Sequence, residues 1–206
     1  MFMSHKLTVD PASVPSQSTY KLLIGSVVPR PIAFVSTLSP EGVPNLAPFS
    51  FFNVICANPP VVSFASGTRE PPKDTLANVR ATGEFVVNIV TEAIAEAMNL
   101  CSGEYEAGVD EFRVSGLTPV ASELVRPPGV LESPVNMECK VMQIIDVSTR
   151  PMGGSLVIGE VVRFHIDREI FENFRIDPDK LQAIGRMGGN GYTRTRDRLE
   201  MIRPQV

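Results

Sequence analysis

"PRPIAFVSTLSPEGVPNLAPFSFFN", residues 29–53, is the stretch on which the fold turns. Residues 31–38 are a short apolar run rich in β-favouring side chains, which predicts a strand. Ser39-Pro40-Glu41-Gly42 has proline second and glycine fourth, the pattern of a type I turn. Residues 43–55 then read as the returning strand. Pro44 and Pro48 confine parts of it to an edge or a bulge, because proline donates no ladder hydrogen bond. Phe51-Phe52 breaks the inside–outside alternation. Either the strand kinks there and exposes backbone N–H and C=O groups, or a bulge sends both rings into the core.

Working outward, residues 60–66 (PVVSFAS) read as a third strand and 84–90 (EFVVNIV) as a fourth. Between them Asp74 or Thr75 can cap a short helix over 75–81, which Gly83 ends. Thr91 is placed to cap a second helix, in which Ile94, Ala97, Met98 and Cys101 recur at helical spacing. Residues 102–134 are loop-rich. In 135–147 Val135, Met137, Cys139 and Val141 alternate with Asn136, Glu138 and Lys140, the pattern of a strand with one solvent face. Residues 155–166 give a sixth strand, with Gly159 as a bulge or bend. Residues 1–19 are polar, carry Pro11 and Pro15, and read as an arm that is loose or ordered by a partner subunit. Neither an internal repeat nor a linker divides residues 20–206, so they read as one domain. Six strands joined mainly by hairpins, with two short helices, predict a mainly β, closed or nearly closed antiparallel barrel with helices on its flank.

Composition narrows the function classes. The chain has 206 residues and a net charge of −4, which argues against nucleic acid or an anionic membrane surface as partner. No apolar run approaches a bilayer span and the N-terminus has no apolar signal core, so a cytoplasmic protein is expected. Three widely spaced cysteines do not make a disulfide framework, and two histidines give a metal site little to build from. A GxSxG elbow is absent, and no Cys–His arrangement suggests a hydrolase.

What the chain does carry is a set of small polar and cationic groups at strand and helix ends. Ser36 and Thr37 close the first strand, and Ser50 and Asn53 flank Phe51-Phe52. Arg69 and Lys73 stand beside Asp74-Thr75 at a helix start, where free N–H groups and a cation favour an anion. Taken singly, each is equally explained by a turn or a cap.

Together they match a family. "RPIAFVST" (30–37), "GVPNLAPFSFFN" (42–53), "NPPVVSF" (58–64), "KDTLANVRATGEFVVNIV" (73–90) and "IGRMGGNGY" (184–192) resemble, in order and over residues 20–192, the flavin reductase-like, FMN-binding split-barrel family. The resemblance implies a six-stranded antiparallel Greek-key split barrel and a homodimer with FMN between subunits. It implies that Arg30, Ser36, Thr37, Asn45 and Ala47 approach the flavin or its ribityl chain. Ser50, Phe51, Phe52 and Asn53 would meet the ring edge, and Lys73, Asp74 and Thr75 the phosphate. Arg186 and Tyr192 would form a lip over the flavin, unless Gly-Gly-Asn-Gly (188–191) is only a mobile loop. No catalytic residue and no metal ligand is assigned. The implied activity is an oxidoreductase that moves electrons from NAD(P)H or a redox protein through FMN. The alternatives are a flavoredoxin-like electron carrier and a flavin-free binding barrel. One departure stands out: where reductases of this superfamily carry Gly-Asp-His before the x-G-E-V strand, this chain has Met152-Gly153-Gly154. The glycines read as open space over the flavin and as weaker use of nicotinamide.

Overall fold

The quoted stretch forms its hairpin as its turn chemistry dictates. In the computed structural model, which describes residues 5–205, β1 (Ala33–Leu38) pairs antiparallel with β2 (Pro44–Phe49), Ala33 opposite Phe49. The first four residues of the expected arm lie outside the described residues. Gly42 takes φ 89° in the turn, and its N–H donates to the Ser39 carbonyl at 3.0 Å. The return stretch is not one strand. At Ser50-Phe51 the chain leaves the ladder, and β3 (Phe52–Ala57) pairs instead with β4 (Pro60–Gly67), Phe52 opposite Phe64.

The remaining elements follow. Helix α1 (Ser16–Ser26) begins inside the expected arm. Helix α2 (Asp74–Thr82) leads through Gly83, at φ 71°, into β5 (Glu84–Ile89). The capping expectation fails in detail: the cap position is Lys73, and no side chain caps the helix. A 3-10 turn over 92–94 precedes α3 (Ala95–Leu100), without a side-chain cap from Thr91. The loop-rich region holds α4 (Glu111–Ser115) and a small ribbon of β6 (Pro119–Val120) with β7 (Gly129–Val130). Two long strands, β8 (Val135–Ser148) and β9 (Gly154–Ile166), form a hairpin. A second ribbon of β10 (Phe171–Glu172) and β11 (Arg175–Ile176) precedes the one-turn helix α5 (Pro178–Leu181). The chain then forms β12 (Ile184–Arg186) and β13 (Tyr192–Arg194).

The main sheet has seven strands in the order β2-β1-β5-β8-β9-β4-β3, every pair antiparallel. The expected count of six is corrected because the return stretch supplies two strands, one at each edge. Those edges are two residues apart in the chain, so the sheet must curl until they approach. The Ala65 N–H donates to the Phe51 carbonyl at 2.9 Å, which extends the β3–β4 pairing by one residue, and no ladder joins β2 to β3. The barrel is split, not closed.

Alternation on β1 divides two cores. Val35 points inward to Phe49, Phe64, Phe85, Val87 and Val157, with Leu76 and Val79 of α2. The Phe64 ring stands edge-on to Phe85 at 5.4 Å and lies 4.9 Å from Phe49. Phe34 points outward to Leu46, Met98 of α3, Phe112 of α4 and Ile184 of β12. This outer core presses α3 and β12 onto the barrel wall. The solvent face expected for β8 is covered as well: Asn136 and Glu138 are buried, and only Lys140 of that face is exposed. Glu138 accepts the N–H groups of Glu123, Leu124 and Val125 at 2.7, 2.6 and 3.2 Å, so the loop before β7 folds over it. Burial pushes the Glu138 carboxyl up, but these bonds and His165 outweigh it and leave the group below its ordinary value.

Gly159 is not itself a bulge. It pairs regularly with Val62 and Val141, and the nearby register shift falls in β8 between Val141 and Gln143. A Cβ there would sit 2.5 Å from the Phe85 ring, so glycine makes room for the ring. Gly159→Ala is expected to lower stability by about 1–3 kcal/mol through overpacking. Urea unfolding checks this, and an unchanged midpoint would show that the ring can move aside.

Candidate functional site

The outer wall of the barrel carries two joined cavities. The smaller, about 160 Å³, lies between β2 and the start of α2 and is lined by Asn45, Ala47, Lys73, Asp74 and Thr75 together with Arg69 and Glu111. Asn45 Nδ2 donates to Thr75 Oγ1 at 3.0 Å, which fastens α2 to β2. Because no side chain caps α2, its first-turn N–H groups lack a side-chain acceptor. Lys73 Nζ lies 5.5 Å from the Phe49 ring centroid. Burial lowers the Lys73 pKa and the Arg69 charge lowers it further, with Glu104 acting in the opposite sense. The Nε of Arg69 is buried with no hydrogen-bond partner. Two crowded cations, an unfilled donor and an uncapped helix start form a cradle for an anion the size of a phosphate. Glu111 is the countervailing group. Burial pushes its carboxyl up, Asp74 and Asp110 add to that, and it accepts the Leu46 N–H at 3.0 Å.

The larger cleft, about 1080 Å³, shares Pro48 and Ser102 with the small pocket. Arg30, Ser50, Arg186 and Tyr192 all line it. Arg30 is itself buried and is spent on structure. Its guanidinium donates to the Ile24 and Val27 carbonyls, each at 2.8 Å, to Met187 O at 3.0 Å and to Ser50 Oγ at 3.4 Å. It therefore ties the end of α1, the β2–β3 bend and the β12–β13 lip together. Desolvation lowers its pKa, Tyr20 offsets this, and Arg186 lowers it again. Arg186 lies over the Tyr192 ring, 4.4 Å from its centroid.

Five of the expected residues do not reach either cavity. Ser36 is fully buried and donates to the Pro128 carbonyl at 2.5 Å. Thr37 is also buried and accepts from Asn78 Nδ2 of α2 at 3.0 Å. Phe51 is exposed, with its ring 5.9 Å from the Arg30 guanidinium. Phe52 packs against the inner core, and Asn53 is exposed with its side chain accepting the Val54 N–H at 2.8 Å. The chain bends here, as the first reading expects, and the Phe-Phe pair splits, one ring outward and one inward, so the reading with both rings in the core does not hold. Gly153 and Gly154 line neither cavity, and a Cβ on Gly153 would collide with the Ser148 carbonyl. The hairpin turn itself requires glycine at 153, and it opens into neither cavity. His165 also lies outside both cavities, bonded to Glu138 at 2.5 Å. Among the described residues no cluster of side chains could hold a metal ion.

Sequence reasoning missed Tyr20 and Ile24 of α1, which form one wall of the cleft. It also missed the 101–105 loop over the small pocket. The α1 sequence gives no helical stripe, since only Ile24 is buried.

Comparison with known proteins gives this arrangement its class. The chain belongs to the flavin reductase-like family, whose flavin reductase like domain matches residues 24–183. It is 39% identical over 207 residues to an uncharacterized protein of Halalkalibacterium halodurans, covering 97% of this chain and 98% of that one. Its structure matches nitrilotriacetate monooxygenase component B from Bacillus cereus with a TM-score of 0.92 at 36% identity, over 96% of this chain and 100% of that one. The 2-nitrobenzoate 2-nitroreductase of Pseudomonas fluorescens matches with a TM-score of 0.88 at 36% identity, over 96% of each chain. A flavin cofactor follows for the family.

Arg30→Ala is expected to cost about 3 kcal/mol of stability, since three carbonyl acceptors lose a charged donor at once. Urea unfolding measures the loss, and proteolysis should begin near 187–191. A change under about 0.5 kcal/mol, the usual range of a surface substitution, would show that α1 and the lip hold without the clamp.

Proposed function

We propose that this chain binds FMN and works as a flavin reductase-type oxidoreductase, as a cytoplasmic homodimer. The observation that carries the reading is the small cation-lined pocket opening into a cleft wide enough for a flat ring system. Lys73, Arg69 and the α2 N-terminus would hold the phosphate, with Asn45 and Thr75 keeping the helix start against β2. Ser50 and Pro48, at the junction with the cleft, would border the ring. When bound, FMN supplies the redox chemistry, taking up and passing on a hydride or single electrons. The chain's share is to bind and orient it, and to set a positive field around the ring through Arg30 and Arg186. The electron donor would be NAD(P)H or a redox protein. Oxidation of NADH or NADPH by the flavin-loaded protein, mixed anaerobically, separates a reductase from an electron carrier.

The visible spectrum of the native protein is the first test, and a colourless protein that takes up no FMN would sink the proposal. Lys73→Ala is expected to weaken FMN by about 1–3 kcal/mol and leave riboflavin nearly unchanged, because the lost contact is a charge-assisted one to phosphate. Equal losses for both ligands would put Lys73 away from the phosphate.

Support for the homodimer comes from β3. It is an edge strand on which Asn53 to Ala57 are all exposed, including Val54 and Ile55, and such an edge is ordinarily covered. The three cysteines are unpaired, as expected of a reducing compartment. Among the described residues no helix is long and apolar enough to cross a membrane. Light scattering should give twice the chain mass, and Val54→Glu should shift it toward the single-chain mass. A wild-type monomer at micromolar concentration with FMN bound would overturn the dimer.

A further inference from the structure

Once the internal contacts of the wide cleft are assigned, one cation is left over. Glu92 is committed to two arginines: Arg194 Nε at 2.7 Å, and Arg196 at 2.7 and 2.9 Å. Burial pushes the Glu92 carboxyl up, but these bonds outweigh it and hold the group charged. Arg30 is spent on three carbonyls and Ser50. Arg186 has no carboxylate partner among the described residues; its one hydrogen bond goes to its own loop, Gly189 O at 2.7 Å.

The position of Arg186 is fixed on three sides. Its backbone bridges Arg30, with N–H to O distances of 3.0 and 2.8 Å. Its guanidinium lies on the Tyr192 ring, and the Tyr192 hydroxyl donates to Asn99 Oδ1 on α3 at 3.3 Å. A guanidinium held over an aromatic ring, with a single hydrogen bond to its own loop, has donors to spare and gives up little freedom when an anion arrives. The neighbouring Arg30 charge raises the local positive potential, and Glu96 is the lining carboxylate with no arginine on it. Ile24, Met98, Leu100 and Ile184 supply apolar wall nearby.

We infer that Arg186 is the recognition point for an anionic partner of the flavin in this cleft, a small molecule with a flat apolar body and a carboxylate or phosphate group. This rests on the proposed flavin function, and it adds the chemical class of the second ligand. Tyr192 is the positioning residue, acting through Arg186.

Calorimetric titration of the FMN-saturated full chain tests it, with benzoate, its neutral isostere benzamide, and ADP-ribose as a nucleotide phosphate without a reactive ring. Benzoate should bind about tenfold or more tightly than benzamide, the range of a charge-assisted hydrogen bond. Arg186→Gln should erase that preference when the variant is held saturated with FMN, and Arg186→Lys should restore only part of it, because an ammonium lacks the planar fork. Arg186-dependent binding of ADP-ribose alone would name a nucleotide phosphate as the anion, and of benzoate alone an aromatic carboxylate; either supports the inference. Equal affinity for benzoate and benzamide in the wild type, with ADP-ribose insensitive to Arg186, overturns it. A preference that survives Arg186→Gln at FMN saturation overturns it too. If the wild type takes up no FMN, the proposed function fails, and the same titrations on the flavin-free chain still decide the anion site.

Discussion

Two residues, Ser50 and Phe51, separate the strands that form opposite edges of the seven-stranded sheet. A flat sheet of that width could not be bridged by so short a link, so the sheet has to curl. Curling encloses Phe49, Phe64 and Phe85 as an aromatic centre and leaves Phe34 and Leu46 on the outer wall. The outer residues then bind α3, α4 and β12, and the cavities lie between those elements and β2. The cleft therefore has the same origin as the barrel. Ser50 lines it because the bend that joins the two edges occurs there.

The cations of this wall are mostly not neutralised by direct ion pairs. Arg30 satisfies its guanidinium with carbonyl oxygens, two of them from the end of α1, where the helix dipole is negative. Such partners satisfy hydrogen bonds without cancelling the full charge. At the small pocket the buried Nε donor of Arg69 is left unfilled. Leaving such a donor unmet costs free energy, and a bound anion would recover it. Carboxylates share both cavities with these cations, but among the described residues none forms an ion pair with Arg30, Arg186, Lys73 or Arg69. Glu92, which could have neutralised Arg186, is instead committed to Arg194 and Arg196.

The sequence revealed the elements set by local chemistry. The Ser39–Gly42 turn, the strand from Glu84 and the long pair β8–β9 follow from turn residues and alternation, and Gly83 ends α2 as its φ allows. What it hid depends on distant partners. Residues 43–55 look continuous because nothing local says that their two halves pair with strands on opposite edges. Glu138 looks solvent-facing because the loop that buries it is held by backbone N–H groups, which carry no side-chain signature, and Asn136 because its partners are the Val130 carbonyl and Asn88, far off in sequence or without signature. Asn45, Lys73 and Thr75 could be placed at a pocket from their motif. Ser36 and Thr37 could not be excluded from it, since a serine at a strand end looks the same whether its hydroxyl meets a ligand or the Pro128 carbonyl. Gly153 carried no message about the site because a tight hairpin demands it.

The place of β9 in the sheet bears on how the chain can fold as it is made. On one side β9 pairs with β8, and on the other with β4, about ninety residues earlier in the chain. Without it the strand order falls into two fragments, β2-β1-β5-β8 and β4-β3. A growing chain can form the first fragment while β4 still lacks one neighbour and Phe64 still lacks an enclosure. The connection is made only after residue 166 has been synthesised, and closing so long a loop is slow. Until then the exposed side of β4 is open to other chains, a hazard that ends when β9 zips the halves together.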